Sequence, residues 1–544
     1  MQAFAALLER LILTPSRNSK LMLIAGYLRE TPDPARGWAL AAITGDLSIR
    51  SVKPAMIRAM AAARVDPVLL ALSHDYVGDL AETVSLIWPR RPGANRPPDL
   101  DEVVETLMAA SRAQGPGLVE GWLDALDATG RWALLKLVTG GLRIGVSARL
   151  AKQAAADFGK VPVTGIEEIW HGLAPPYQDL FTWLEGRADR PAPDMKARFR
   201  PVMLAHPLLS KAERSDPDAL DPTRVTPQDF AAEWKWDGVR VQLAIEDGER
   251  RIYTRTGDDI SHVFPDVLAP LDFNASIDGE LLVRSPGGGV AAFNELQQRL
   301  NRNTVTPRQM AERPAFIRAY DLLQEDGKDL RALAFAARRK RLERFIVSLD
   351  TDRLDLSPLI PFADSVQLEQ LRAEPPTPEI EGLMLKRWDA PYVPGRPAGL
   401  WYKWKRNPHL IDAVLMYAQR GHGKRSSFYS DFTFGVWRPI PGGADGAEEL
   451  APVGKAYFGF TDEELVLLDR YVREHTFERF GPVRSVTANR HEGLVLEVAF
   501  EGLQRSPRHK SGIAMRFPRI HRIRWDKPSA EADRMKTLEA MLEP

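Results

Sequence analysis

A change of hydrophobic period near residue 200 constrains this chain more than any other feature. From Met1 to about residue 199, apolar residues recur every three or four positions among Ala, Leu and Arg, the spacing of one helical face. Past Pro191, Pro193 and Pro201, short runs rich in β-branched and aromatic residues alternate with helical stretches. A chain of 544 residues that switches period in this way divides into several domains. The expected boundaries are 1–199, 200–407 and 408–544.

The first region predicts an all-α domain. Met1–Leu13 is amphipathic and carries Glu9 and Arg10 inside its apolar stretch, so it reads as a helix and not a secretion signal. Thr14-Pro15-Ser16, Pro32-Asp33-Pro34 and the stretch Pro89–Pro98 mark loops. Gly140-Gly141-Leu142-Arg143-Ile144-Gly145 interrupts two helical segments. A helix C-cap with a turn is the favoured reading. The alternative is a backbone that approaches a DNA phosphate, with Arg143 adding charge.

The second region predicts an α+β domain. Strands are expected over Val239–Ile245, Arg251–Thr254, Ser276–Val283 and Phe316–Leu322, with a helix over Ala334–Val347. After Asn407, five short strands are expected: Ala413–Ala418, Phe432–Trp437, Lys455–Phe460, Leu494–Phe500 and Ile513–Arg516. Thr461-Asp462-Glu463-Glu464 is a capping box that opens one helix among them. Five strands and one helix suit a β-barrel of the oligonucleotide-binding type. Gly442–Gly446 reads as an exposed loop.

Charge balances at 73 basic against 73 acidic residues, so the sum gives no hint of nucleic acid and local patches decide. Arg505 to Lys527 holds eight Lys or Arg against one acid, Asp526. Arg338-Arg339-Lys340-Arg341 is a second basic run, read with even odds as a solvated helix face. Cysteine is absent, which excludes disulfides, thiolate zinc sites and cysteine nucleophiles. No apolar run is long enough to span a membrane, and the default location is cytoplasmic.

The chemistry centres on Glu233-Trp234-Lys235-Trp236-Asp237-Gly238-Val239-Arg240. A lysine attacks phosphorus only when deprotonated, through desolvation or neighbouring cations. Trp234 and Trp236 would dry its surroundings, and Gly238 would permit a tight backbone. A four-position match of this kind arises by chance about 1% of the time in a chain this long, so alone it only suggests a nucleophile. In order downstream come Arg255-Thr256-Gly257, Ser276-Ile277-Asp278-Gly279-Glu280 and Ala319-Tyr320-Asp321-Leu322-Leu323. Glu381–Lys386, Trp401-Tyr402-Lys403-Trp404-Lys405, Arg516-Phe517-Pro518-Arg519 and Arg524-Trp525-Asp526-Lys527 complete the series. Lys403 and Lys405 alternate on a strand and so share a face, where they would hold a phosphate and depress the pKa of Lys235. Glu381 offers a hard oxygen ligand to a divalent ion, and Glu280 would bind ribose hydroxyls or assist the metal.

With these motifs in this order, the chain resembles the ATP-dependent DNA ligases of the covalent nucleotidyltransferase superfamily, from about Arg200 to Lys527 and more weakly before it. The resemblance implies an all-α DNA-binding domain, an α+β adenylation (nucleotidyltransferase, ATP-grasp-like) domain and a C-terminal OB-fold β-barrel. It implies nick sealing in DNA repair, recombination and replication, with Lys235 adenylated by ATP. Glu233 would contact the adenine amino group and Tyr320 would stack on the base. Arg240 and Arg255 would meet nucleotide or nick phosphates, and Arg396 would lie near the nucleotide. Arg516, Arg524 and Lys527 would orient the leaving pyrophosphate. Glu280 and Glu381 would hold Mg²⁺, with Mn²⁺ an alternative. The expected partner is nicked duplex DNA, encircled by a monomer in the cytoplasm at the nucleoid, without a membrane. Capping guanylyltransferases and RNA ligases share the Lys-x-Asp-Gly chemistry; the helical N-terminal region and Arg516-Phe517-Pro518-Arg519 favour the DNA ligases. NAD-dependent ligases usually carry a four-cysteine zinc module, which a chain without cysteine lacks. A silent DNA-binding scaffold would not need Lys235, Glu381, Lys403 and Lys405 together.

Overall fold

The computed structural model describes residues 1–544 except 78, 90–95, 193–195, 209–219, 301, 303, 421–427, 441, 443–445, 481–482, 507–508, 510 and 543–544. Parts of the Pro89–Pro98 and Gly442–Gly446 loops, with Arg508 and Lys510 of the basic stretch from Arg505 to Lys527, therefore lie outside the described residues. The chain divides into two compact units: Met1–Lys160 with Pro175–Glu185 and Pro408–Pro544, and Val161–Ala174 with Gly186–Asn407.

Helices fill the N-terminal part of the first unit. In Gln2–Leu13, Phe4, Leu7, Leu8 and Leu11 are buried at helical spacing. Side chains at the starts satisfy amides that the helix leaves unpaired: Ser16 accepts from the Ser19 amide, Asp127 from Gly130 and Ser147 from Leu150. Ala128–Thr139 ends at Gly140 in the left-handed conformation, which is the C-cap reading of the glycine-rich break. The Lys20 ammonium then donates to the carbonyls of Ile144 and Gly145 and pins the loop. Among the described residues, no helix is long and apolar enough to cross a membrane.

The C-terminal part of the same unit is β-rich. The long strand His409–Arg420 pairs with Tyr429–Pro439 on one side, and with Val483–Val486 and Val495–Phe500 along the other, with register shifts that curl the sheet. Arg519–Arg524 extends it beside Val495–Phe500. The capping box at Thr461 opens Asp462–His475 as expected. Two corrections follow. The third strand is Glu448–Ala456, so the expected Lys455–Phe460 strand holds only in its first two residues. Thr476–Phe480, Val483–Val486, Gly502–Arg505 and Arg519–Arg524 are strands the apolar pattern did not signal. Their charged residues mask the alternation, and pairing with neighbours stabilises them.

The second unit holds two sheets. One has six strands: Glu249–Thr254, Val239–Glu246, Ala275–Val283, Ala315–Glu325 and Lys328–Asp329 in order, with Leu354–Leu356 parallel to Ala315–Glu325. The other runs His206–Pro207, Trp401–Lys405, Ile380–Arg387, Phe230–Trp236. Val241, Leu243, Ile277, Leu281, Ile317 and Ala319 turn one face of the six-stranded sheet into an apolar core. Its opposite face carries Arg240, Glu280 and Tyr320.

Candidate active site

Alternation along Phe230–Trp236 sorts its side chains onto two faces. Phe230, Ala232 and Trp234 join Leu383, Leu385 and Trp404 in an apolar cluster. Glu233 and Lys235 thus turn into a cavity of about 460 Å³ lined by both sheets. Tyr402 and Trp404 likewise enter the cluster, which leaves Trp401, Lys403 and Lys405 to the cavity. Gly238 follows because a Cβ there would lie 2.6 Å from the Leu281 carbonyl oxygen and 2.8 Å from Cγ of Glu280.

Glu381 breaks this alternation. Leu383 and Leu385 face the apolar cluster, and a regular strand would send residue 381 the same way. Lys235 pairs with Gly382, but Trp236 pairs with Ile380, so Glu381 is the extra residue of a β-bulge. The bulge re-aims its carboxylate into the cavity. Gly382 takes φ +144°, and a Cβ there would strike the Trp404 carbonyl oxygen at 2.2 Å.

The result is a boundary between opposite charges. The Lys235 ammonium donates to Glu381 Oε2 at 2.6 Å, and Lys405 Nζ lies 3.6 Å from the same oxygen. Burial disfavours the Lys235 ammonium, but Glu381, Glu280 and Asp237 outweigh it and hold its pKa above the ordinary lysine value. The expectation that Lys403 and Lys405 depress Lys235 is thereby corrected: the nearer carboxylates win. Glu381 is pulled down to about 2, because Lys235 and Lys405 overcome its burial. Glu280 is pushed up to about 7 by burial, which outweighs the attraction of Lys235 and Arg240, with Glu381 and Asp237 adding a smaller repulsion. On the other side cations crowd each other. Burial, then Lys235, Lys405, Arg396 and Arg255, pull Lys403 down. Burial, then Arg240 and Arg396, pull Arg255 down. Such a wall is stabilised by an anion with several charges.

The model of the ATP dependent DNA ligase domain matches residues 207–405, which contain the cavity lining apart from Leu204 and Ala205, and that of the ATP dependent DNA ligase C terminal region matches 425–527. The chain belongs to the ATP-dependent DNA ligase family. The ligase is 29% identical to "DNA ligase 1" of Korarchaeum cryptofilum over 100% of its own length and 98% of that protein. It is 26% identical to "DNA ligase" of Thermococcus fumicolans, over 99% and 97% of the two chains. The solved structure "Pmar-Lig_PreS3" shares its fold at TM-score 0.58 and 16% identity, covering 96% of the ligase and 99% of that chain.

Lys235, Glu233, Arg240, Arg255, Glu280, Tyr320, Glu381, Arg396, Lys403 and Lys405 of the ligase all line the one cavity. Arg240 is heavily committed there. Its guanidinium donates to Asp278 Oδ2 at 2.6 Å, to the Met203 carbonyl and to the Tyr392 hydroxyl. Arg143, Arg516, Arg524 and Lys527 belong to the other unit. Arg143 is exposed with φ +43° in the loop after Gly140. Arg524 and Lys527 both pair with Asp412, at 3.3 and 2.7 Å.

Sequence reasoning missed the charges behind the cavity. Arg338 and Asp321 form a fully buried bidentate pair at 2.8 and 2.9 Å. Glu233 accepts from Lys386 at 2.8 Å and from Arg339 at 3.3 Å, all three buried. The run Arg338–Arg341 is therefore not a solvated face: its first two members are internal. The signal available was the helical spacing of Phe335 and Leu342, which places 338 and 339 on or beside the buried stripe.

Proposed function

We propose that Lys235 is the residue adenylated when this ATP-dependent DNA ligase seals nicks in duplex DNA. The observation that carries the assignment is the position of Lys235 where acidic and crowded cationic groups meet in one cavity. Lys235 Nζ attacks the α-phosphorus of ATP, an N–P bond forms, and the bond to the leaving pyrophosphate breaks. The AMP passes to the 5′-phosphate of a nick. The 3′-hydroxyl then attacks that phosphate, the phosphodiester forms and AMP leaves.

The resident Lys235 is an ammonium held by the Glu381 carboxylate, so one proton leaves Nζ for solvent before attack; a cation bound at Glu381 would weaken the ion pair that keeps that proton in place. Lys403, Lys405 and Arg255 hold the phosphate oxygens, while Tyr320 and Glu233 receive the base. Glu280 and Glu381 fit a divalent ion by their donor chemistry: both carboxylates line the same cavity and offer the hard oxygen ligands that such an ion takes. Mg²⁺ bound there would neutralise charge and polarise phosphate oxygens, and it needs only one or two carboxylates besides water and phosphates. Among the described residues, no group of three or more His, Cys, Asp or Glu is arranged for a metal.

We read the chain as three working domains: helices 1–199 that grip DNA, the adenylation domain 200–407, and an OB-fold barrel 408–544. Arg516, Arg524 and Lys527 on the barrel orient pyrophosphate during adenylation. A monomer closed around DNA through phosphate contacts, including Arg143, Arg240 and Arg255, acts in the cytoplasm at the nucleoid. The test is incubation with α-labelled ATP without DNA, followed by nicked duplex. Label should appear on the wild type, be absent from Lys235→Ala, and be released as a joined strand forms. Full labelling of Lys235→Ala would overturn the assignment.

A further inference from the structure

The charges behind the cavity have a use that sealing chemistry does not require. Glu233 is 2% exposed, yet it is one of the residues that line the cavity, together with Tyr320, Met384 and Trp401. Its two oxygens are held separately: Oε2 by the Lys386 ammonium and Oε1 by the Arg339 guanidinium. Lys386 in turn donates to the Tyr320 carbonyl at 3.3 Å and lies 4.4 Å from the centre of the Tyr320 ring. It thus couples the acid to the aromatic platform.

Arg339 comes from a different element, the helix Phe335–Val347, and that helix is fixed to the sheet. Arg338, its neighbour, makes the buried bidentate pair with Asp321 and also donates to the Ala390 carbonyl. Arg339 Nε is held by Glu343 at 2.8 Å, which directs Nη1 toward Glu233. A carboxylate fixed from two sides cannot rotate to suit a new ligand, and it can only accept hydrogen bonds.

We infer that Arg339 is a positioning residue for nucleobase selection: with Lys386 it fixes the Glu233 carboxylate as a rigid acceptor that admits a 6-amino purine and rejects a 6-oxo purine. The inference rests on the adenylation reading above. Adenine presents an N–H donor where inosine and guanine present a carbonyl oxygen. A 6-oxo base would set an acceptor against a buried acceptor and leave both unsatisfied. The fork of Arg339 has to be planar and fixed to do this, so lysine should only partly replace it.

The experiment compares self-adenylation of the full chain with α-labelled ATP and with α-labelled inosine triphosphate. Wild type, Arg339→Met and Arg339→Lys are measured for KM and kcat with each nucleotide, alongside thermal melts. Arg339→Met should raise KM for ATP more than it lowers kcat, and should reduce the preference for ATP over inosine triphosphate by about tenfold or more. Arg339→Lys should recover part of that preference, and it carries the test alone where Arg339→Met does not fold. An unchanged preference in the folded variant, whatever happens to the melt, overturns the inference. Absence of any label on the wild type would instead strike the adenylation reading.

Discussion

Replacing Gly382 by alanine tests whether the bulge, and not the mere presence of Glu381, builds the site. The new methyl would lie 2.2 Å from the Trp404 carbonyl oxygen, 2.8 Å from Cα of Lys405 and 3.0 Å from the Arg406 amide nitrogen. All three are backbone atoms, so no side-chain rotation relieves the contact. Ordinary contact begins at 3.4 Å, and reaching it separates the two strands by about 1 Å. Those strands carry Glu381, Lys403 and Lys405. The φ of +144° adds backbone strain of about 1–3 kcal/mol for a residue with a Cβ. A misplacement of about 1 Å in reacting groups costs about 10²-fold in rate. Gly382→Ala should therefore stay folded in dilute buffer, lose at least about 1–3 kcal/mol in urea unfolding, and self-adenylate about 100-fold more slowly. Single-turnover transfer from α-labelled ATP gives the rate, and far-ultraviolet circular dichroism gives the folded fraction. A folded variant that adenylates within about twofold of wild type would refute the role of the bulge.

Two further outcomes follow from buried charge. Glu280 has a folded pKa of about 7 against an ordinary 4.5, so between those values the folded state binds more protons and stability falls as pH rises. Glu280→Gln removes that loss and should raise the melting temperature relative to wild type more at pH 8 than at pH 5; an equal or reversed difference counts against the buried carboxylate. Asp321→Ala strips the fully buried Arg338 of its partner and should cost about 3–5 kcal/mol in urea unfolding, whereas a loss under about 1 kcal/mol would mean the pair is not sequestered.

The sequence by itself determined the period change, the helices before residue 185, the strands that carry the motifs and most of the residues that line the cavity. Local information suffices for these because alternation and helical spacing are written in neighbouring residues, as at Phe230–Trp236. It also placed the capping box at Thr461 and the stop at Gly140, where one residue type satisfies a local backbone need. Only the tertiary structure decided the rest. Glu381 enters the cavity because it is the extra residue of a bulge, and a bulge exists only relative to a partner strand. The basic run Arg338–Arg341 reads as a surface until Asp321 and Glu233 arrive from distant strands to bury its first half. The protonation of Lys235 followed the same rule: its neighbours in sequence are tryptophans, but its neighbours in space are carboxylates, and Coulomb energy depends on the latter.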